Sequence, residues 1–522
     1  MAARYGYNGA VLWIDLSQRA ARFAEYDDLF WRRTVGGGLL ATRLLLEHTL
    51  PGIDPLGPEN LLIFASSVAA GHPYAGLVRF TTAAKSPLTG GIGETRTEGP
   101  WGIALKASGA DAIVISGQAA QPVALVVDNG AVTFVEASDL WGMTVGAATD
   151  ALQAQLGADS HVAAIGPAGE NLVRFASIVT DRSYQASRMG MGAVMGAKQL
   201  KAVVLRPGDA PPVFDRPALE QLTGDFGQRI AYNDLSLWQQ RPPGFSCWIY
   251  LHGLDAALCA DNYQQSFFAG LEAFKEEAYL ARPITELGCP GCPNKCIKAI
   301  HPLDGDDLDP RASGIHQEIA GAFGPAIGVG DLDAVLRANN LCNQLGLDPT
   351  SLGFTIAFGM ELFQRDILRP EENGGQPLHF GDAGAALTLV EDIAYRRGLG
   401  GLLAEGTQRA AERIGGDALR FAMHVKGLEI VPFEPRSQTN LALGYAVAPI
   451  GPRYDICEHD WDFDTQVGWE HSLELSRTLG ILERVPMNFI GPQKVRTFKA
   501  LLTLWSAADA LDLCIFAIAP TR

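Results

Sequence analysis

The sequence predicts an α+β fold: an N-terminal β-rich domain followed by two mostly helical domains. Three observations carry that prediction. The first 205 residues hold short apolar runs separated by turn residues. The stretch RPGDAPPVFDRPAL, residues 206 to 219, is dense in Pro and Gly and marks a boundary. Beyond it, apolar residues recur at helical spacing. The expected division is 1–208, 209–425 and 426–522.

Taken in order, GAVLWIDLS and ARFAEY flank a short polar break and read as paired strands. Apolar runs follow at LLIFAS, DAIVISG, HVAAIG and KAVVLRPG. PVALVVDNGAVTFVEA carries Asp128-Asn129-Gly130, a strong hairpin signal because Asn and Gly accept the positive φ of a tight turn. A helix is expected around Leu140 to Leu156. In the second half, DLDAVLRANNLCNQLGL places apolar residues on one helical face, with Asp331 as its N-cap and Gly346 as its terminator. Ala383 to Ile414, Glu470 to Leu482 and Val495 to Leu513 read as further helices.

Composition narrows the function. The chain has 522 residues, 47% of them apolar, and a formal net charge of −17. That balance argues against nucleic-acid binding, which needs a basic face. Eight cysteines in such a length are too few for a disulfide scaffold and fit metal binding in a reducing compartment. No secretory signal is visible at the start, and the most apolar stretches are shorter than the ~20 residues a membrane span needs. The expected location is the cytoplasm, with no membrane and no nucleic-acid partner.

The sharpest motif is CPGCPNKC, with Cys289, Cys292 and Cys296 at C-x2-C-x3-C spacing. Zinc with His301 nearby and an iron–sulfur cluster with a remote fourth cysteine both satisfy this spacing. Two glycine-rich loops, AKSPLTGGIGETRTEGPWG (84 to 102) and ASRMGMGAVMGAK (186 to 198), offer backbone amides to phosphate, with Arg96 and Arg188 as countercharges. Taken singly, either also reads as a plain turn. Two hexads recur at helix ends, NQLGLD (343 to 348) and DALDLC (509 to 514). The segment PIGPRYDICEHDWDFD (449 to 464) concentrates Tyr, His and carboxylates in one loop, either solvated or lining a pocket.

In combination these pieces resemble the tungsten-containing aldehyde ferredoxin oxidoreductase family. The matching stretches run in family order over nearly the whole chain: GGGLLATRLL, VRFTTAAKSPLTGGIG, LKASGADAIVISGQA, AAIGPAGENLVRFASI, GAVMGAKQLKAVV, CPGCPNKC, HQEIAGAFGP, NNLCNQLGLDPTS and DALDLC. The resemblance implies that the β domain forms a base and the helical domains enclose a tungsten or molybdenum bis-pterin beside one [4Fe–4S] cluster, with magnesium between the pterin phosphates. It implies that Cys289, Cys292, Cys296 and Cys514 ligate the cluster and that Arg79 lies between cluster and pterin. Arg96, Ala186, Arg188 and Gly190 would hold pterin phosphates; Asn343, Asp348, Asp509 and Leu513 would grip the pterin rings. Glu318 matches the family's active-site glutamate.

The sequence also departs from the family pattern. Asn343 stands where many members have Asp, Asp512 where Gly is usual, and Arg96 where Asn is common. Tyr454 stands where a His is expected, with His459 five residues on, so Tyr454 and His459 are taken jointly as catalytic partners of Glu318. The chain stops eight residues after Cys514, shorter than the pattern leads one to expect. The implied activity is oxidation of an aldehyde to a carboxylic acid, with electrons passed to ferredoxin or an iron–sulfur subunit, in a homodimer or hetero-oligomer. The rival readings are the same cofactor acting on another carbonyl or acid, and a non-catalytic iron–sulfur electron-transfer paralogue.

Overall fold

Alternation along the strands decides how the N-terminal half is layered. The computed structural model describes residues 4–312, 314–453, 456 and 459–518. Six strands, β1 (Ala10–Asp15), β2 (Ala20–Glu25), β3 (Leu62–Ala65), β4 (Phe80–Lys85), β5 (Ile92–Thr97) and β6 (Ala112–Ser116), form a sheet in the order β2-β1-β6-β3-β4-β5. The next six, β7 (Val123–Asp128), β8 (Ala131–Glu136), β9 (His161–Ala164), β10 (Ile178–Thr180), β11 (Tyr184–Ala186) and β12 (Leu200–Leu205), form a second sheet in the order β11-β10-β9-β12-β7-β8. Each sheet contains one parallel pair, β1 with β6 and β7 with β12; its other pairs are antiparallel.

Because side chains alternate faces at period two, the central strands contribute to two cores. Leu12, Ile14, Phe64, Phe80, Ile113, Leu125 and Val203 belong to the large core shared by both sheets. Their neighbours Val11, Ile63 and Val114 face the helix Gly37–His48 and pack on its Leu40 and Leu44. Val126, Val162 and Val204 likewise pack on Leu152 of the helix Val145–Leu156. A buried Leu or Val side chain is worth about 1.5–3 kcal/mol, so each helix is fixed mainly by this stripe. The hairpin reading is borne out. Asp128 pairs with Ala131 across Asn129 (φ 47°) and Gly130 (φ 81°), the two positive φ values a two-residue turn requires.

After Leu205 the chain is mainly helical. The helix Leu332–Leu345 is capped by Asp331, whose carboxylate accepts from the backbone N–H groups of Asp333 and Ala334, and ends at Gly346 in the left-handed region. Both reflect the sequence reading. The expected single helix over 383 to 414 is instead three: Ala383–Ala394, Leu399–Leu403 and Thr407–Ile414. Positive φ at Arg396, Gly398 and Gly406 breaks it, a backbone requirement that apolar periodicity does not reveal. A small sheet of Ile284–Glu286, Lys298–Ile300 and Gly314–Ile315 sits within the helical part. No helix among the described residues is long and apolar enough to cross a membrane.

Candidate active site

The cysteine motif is the connection between two paired strands. Glu286 pairs with Lys298, so residues 287 to 297 form an excursion pinned at its base by Leu287 and Gly288, whose N–H groups both donate to the Ile297 carbonyl. Within it the Cys292 N–H donates to the Cys289 carbonyl at 3.1 Å, and Gly291 adopts φ 71°. A Cβ on Gly291 would overlap the Pro73 carbonyl oxygen. Glycine is thus required twice, by conformation and by space. Gly291→Ala is expected to cost about 1–3 kcal/mol, the price of such strain. Gly109→Ala (φ 88°, open space around it) is the control for φ alone. Thermal unfolding checks the ranking, and equal melting losses in the two variants would contradict it.

Cys514 reaches the same place from the far end of the chain. The helix Pro492–Ala510 ends, Asp512 takes φ 51°, and the Cys514 N–H donates to the Gly76 carbonyl at 3.0 Å. All four thiols, from 289, 292, 296 and 514, line one cavity of about 330 Å³. Burial pushes every one of them up, Cys514 to about 11 even though Arg79 works against the rise. Ligand thiolates would therefore form at the expense of bound protons, as metal loading requires. Among the described residues no three His, Cys, Asp or Glu side chains form a group that could hold a single metal ion. Four thiols on one cavity match the four thiolates that a cubane iron–sulfur cluster takes.

Four arginines, Arg79, Arg96, Arg188 and Arg453, face the same cavity. Arg79 donates through Nε to Glu98 Oε1 at 2.7 Å and through Nη1 to the Leu513 carbonyl at 3.4 Å, next to Cys514. Burial opposes its charge, but Glu98 and Cys514 outweigh burial and raise it. Arg96 lies 3.2 Å from Glu94, 3.2 Å from Asp509 and 3.9 Å from Asp512, and Arg453 joins Glu94 and Asp509 at 3.4 and 3.5 Å. Asp512 is fully buried; desolvation lifts its carboxyl to about 7 against the pull of Arg96 and the Thr81 hydroxyl, which donates to Oδ1 at 2.6 Å. Arg188 donates to the Glu429 carbonyl at 2.6 Å and lies 3.6 Å from Asp348 Oδ2, a buried oxygen with no hydrogen-bond partner.

The remaining expected ligands border these groups. Ala186 ends β11 and is buried; Gly190 takes φ 80°, and a Cβ there would overlap the Arg174 carbonyl. Asn343 accepts from Gln185 at 2.8 Å, and Asp348 caps the helix Pro349–Gln364 through the Thr350 N–H. Asp509 and Leu513 stand at the end of the helix that delivers Cys514. The buried Asp348 oxygen without a hydrogen bond, the arginines and the tight glycine turn are a donor and acceptor set that fits a phosphate-bearing pterin. The four thiols fit the cluster.

Glu318 lines the cavity from the helix Gln317–Phe323. His316 Nδ1 is in close contact with its Oε2, and Gln317 Nε2 donates to Oε1 at 3.4 Å. His459 does not line this cavity. It is buried among Trp248, His252 and Phe433, with ring centroids 5.8, 4.9 and 4.4 Å away. Tyr454 lies outside the described residues. Sequence reasoning missed Glu98, Arg453 and His316. The last stands two residues before Glu318 in the same motif, which was signal enough to flag it.

Comparison with known proteins agrees with this geometry. The family model "Aldehyde ferredoxin oxidoreductase, N-terminal domain" matches residues 11–207, and "Aldehyde ferredoxin oxidoreductase, domains 2 & 3" matches 233–522. A tungsten-containing aldehyde ferredoxin oxidoreductase of Thermococcus kodakarensis is 31% identical over 516 residues, 98% of this chain and 82% of that protein. An aliphatic sulfonate oxidoreductase, WOR-like subunit, of Pyrococcus furiosus is 29% identical over 550 residues, covering 96% and 86%. Among solved structures, the active-site complex BamBC of benzoyl coenzyme A reductase with 1,5-dienoyl-CoA aligns at a TM-score of 0.83 and 25% identity, over 98% of this chain and 82% of that one.

Proposed function

The chain belongs to the aldehyde ferredoxin oxidoreductase family, and on that premise we propose that it oxidises an uncharged, apolar aldehyde to the carboxylic acid. The cofactors in this reading are a tungsten or molybdenum bis-pterin and a [4Fe–4S] cluster, with electrons leaving to ferredoxin or an iron–sulfur partner subunit. One observation carries it: four thiols, four arginines and three carboxylates (Glu94, Glu98 and Glu318), from segments as far apart as 79 and 514, line a single cavity.

When bound, a metal–pterin would supply two-electron chemistry and an iron–sulfur cluster would divide the pair into single electrons. This chain's residues do the rest. Cys289, Cys292, Cys296 and Cys514 would hold the cluster. Arg96 and Arg188 would hold phosphate, and Asp348 and Asp509 would accept hydrogen bonds from the pterin rings. Arg79 links the two groups through the Leu513 carbonyl. Glu318 acts as the base that removes a proton from water attacking the carbonyl carbon. Phe245, Ile319, Leu428, Val431 and Ile450 on the same wall keep bulk water out and favour an apolar substrate. The division at 208 and 425 is part of this proposal, and it is supported by the cavity drawing residues from all three segments.

Purified anaerobically, the protein is expected to carry about four irons and one tungsten or molybdenum per chain, since a cubane cluster takes four thiolates. With a dye acceptor it should turn over apolar aldehydes with lower KM than carboxylate-bearing ones. Iron without tungsten or molybdenum would overturn the catalytic reading. A second reading, the same cofactor on a different substrate, is favoured by relatives named for a sulfonate oxidoreductase and a benzoyl coenzyme A reductase. Full metal content with no turnover of any aldehyde would select it.

A further inference from the structure

Among the described residues lining the cavity, His316 is the one imidazole. It occupies the N-cap position of the helix Gln317–Phe323, yet its side chain makes no capping bond. The ring turns instead to Glu318, with Nδ1 against Oε2. Phe245 covers it, ring centroids 4.7 Å apart and planes inclined by 33°, and Phe516 lies at 6.3 Å. A His and a Glu two apart in sequence do not face each other on a regular helix. The pair forms only because His316 is in extended backbone (φ −124°, ψ 164°) before the first turn. The contact is thus built by the fold at the helix start, with Phe245 packed against the imidazole.

We propose that His316 is a positioning residue for Glu318: it grips Oε2 and holds the carboxylate in the cavity wall, oriented toward the reacting water. This rests on the reading of Glu318 as the base. A general base works only when it is held in its reacting geometry, and a misplacement of about 1 Å costs on the order of 10²-fold in rate. The charged groups that face His316 are Glu318 from its own helix, and Glu98 and Arg79 from the β domain. Burial works against the imidazolium and Arg79 opposes it, but Glu318 and then Glu98 outweigh them, so the imidazole is raised above its ordinary value. The grip is therefore charge-assisted while the imidazole is protonated, and it weakens as pH rises through that raised value.

The test compares H316F, H316Q, E318Q and H316F/E318Q as metal-loaded full chains. H316F should lose about 10- to 100-fold in kcat with KM changed less than about threefold, because orientation is lost and binding is not. H316Q keeps an N–H donor and should recover to within about fivefold of wild type, but without the wild-type fall of kcat/KM at alkaline pH. A second readout is thermal unfolding against pH. A histidine raised in the folded state stabilises fully below its unfolded value, and that contribution is lost as pH rises through the folded one. The wild-type advantage over H316Q should thus be larger at pH 6 than at pH 9. Wild-type kinetics in H316F, with E318Q inactive, overturns the positioning role alone. Wild-type turnover in E318Q overturns the role of Glu318 and the positioning role with it. If H316F fails to load metal, the pH profile of H316Q decides, and an alkaline limb unchanged from wild type is the overturning result.

Discussion

Cys514→Ala is expected to strip the protein of its cluster, taking iron from about four per chain to fewer than about one, because a cubane loses a corner ligand. Three of the cysteines come from the one 287–297 excursion, and Cys514 comes from a separate segment 218 residues beyond Cys296. Its position is set by the backbone, through its N–H on the Gly76 carbonyl and the Arg79 bond to the Leu513 carbonyl, so no neighbouring thiol can move in to replace it. Dye-linked turnover should fall to background, and the reduced-cluster spectroscopic signal should vanish. Cys342→Ala is the control. That thiol is fully buried in the main core, so its loss should cost about 1 kcal/mol of packing and leave iron unchanged. Full iron in C514A would remove Cys514 from the ligand set.

Glu318→Gln should lower kcat by about 10²–10⁴-fold, the usual contribution of a positioned acid or base, with metal and iron content retained. Gln is close in size and keeps the packing of the helix Gln317–Phe323, so the loss would report the missing carboxylate. Arg188→Ala contrasts with it. Arg188 holds the Glu429 carbonyl and stands beside Asp348, and its removal should reduce pterin content before it touches the rate per loaded site. Measuring kcat per tungsten or molybdenum separates the two. A rate within about threefold of wild type in E318Q would end the general-base assignment, since proton transfer contributes far more than that.

Much of this was legible in the chain itself. The cysteine spacing, the Asn129-Gly130 turn, the Asp331 cap and the Gly346 stop are local, because each depends on a few adjacent residues and the φ values they tolerate. Other features were out of reach of local reasoning. The segment over 383 to 414 has continuous apolar periodicity, but Arg396, Gly398 and Gly406 turn it into three helices. His459 looked like a partner for Glu318 by its company of Tyr454 and carboxylates. It is not on the cavity lining but packs into a box of aromatic rings, because Trp248, His252 and Phe433 arrive there from elsewhere in the chain.

By itself the sequence determined the fold class, the family and the residue types the site needs, since those depend on periodicity, turn chemistry and ordered motifs. Only the tertiary structure decided which of them meet. Cys514 joins a turn 218 residues earlier because the helix Pro492–Ala510 ends against the β domain, with Thr81 donating to Asp512 and Gly76 accepting from Cys514. His316 reaches Glu318 because an extended N-cap residue points where a helical one cannot. Such contacts are set by the packing of elements distant in sequence and by the few ångströms at a helix end.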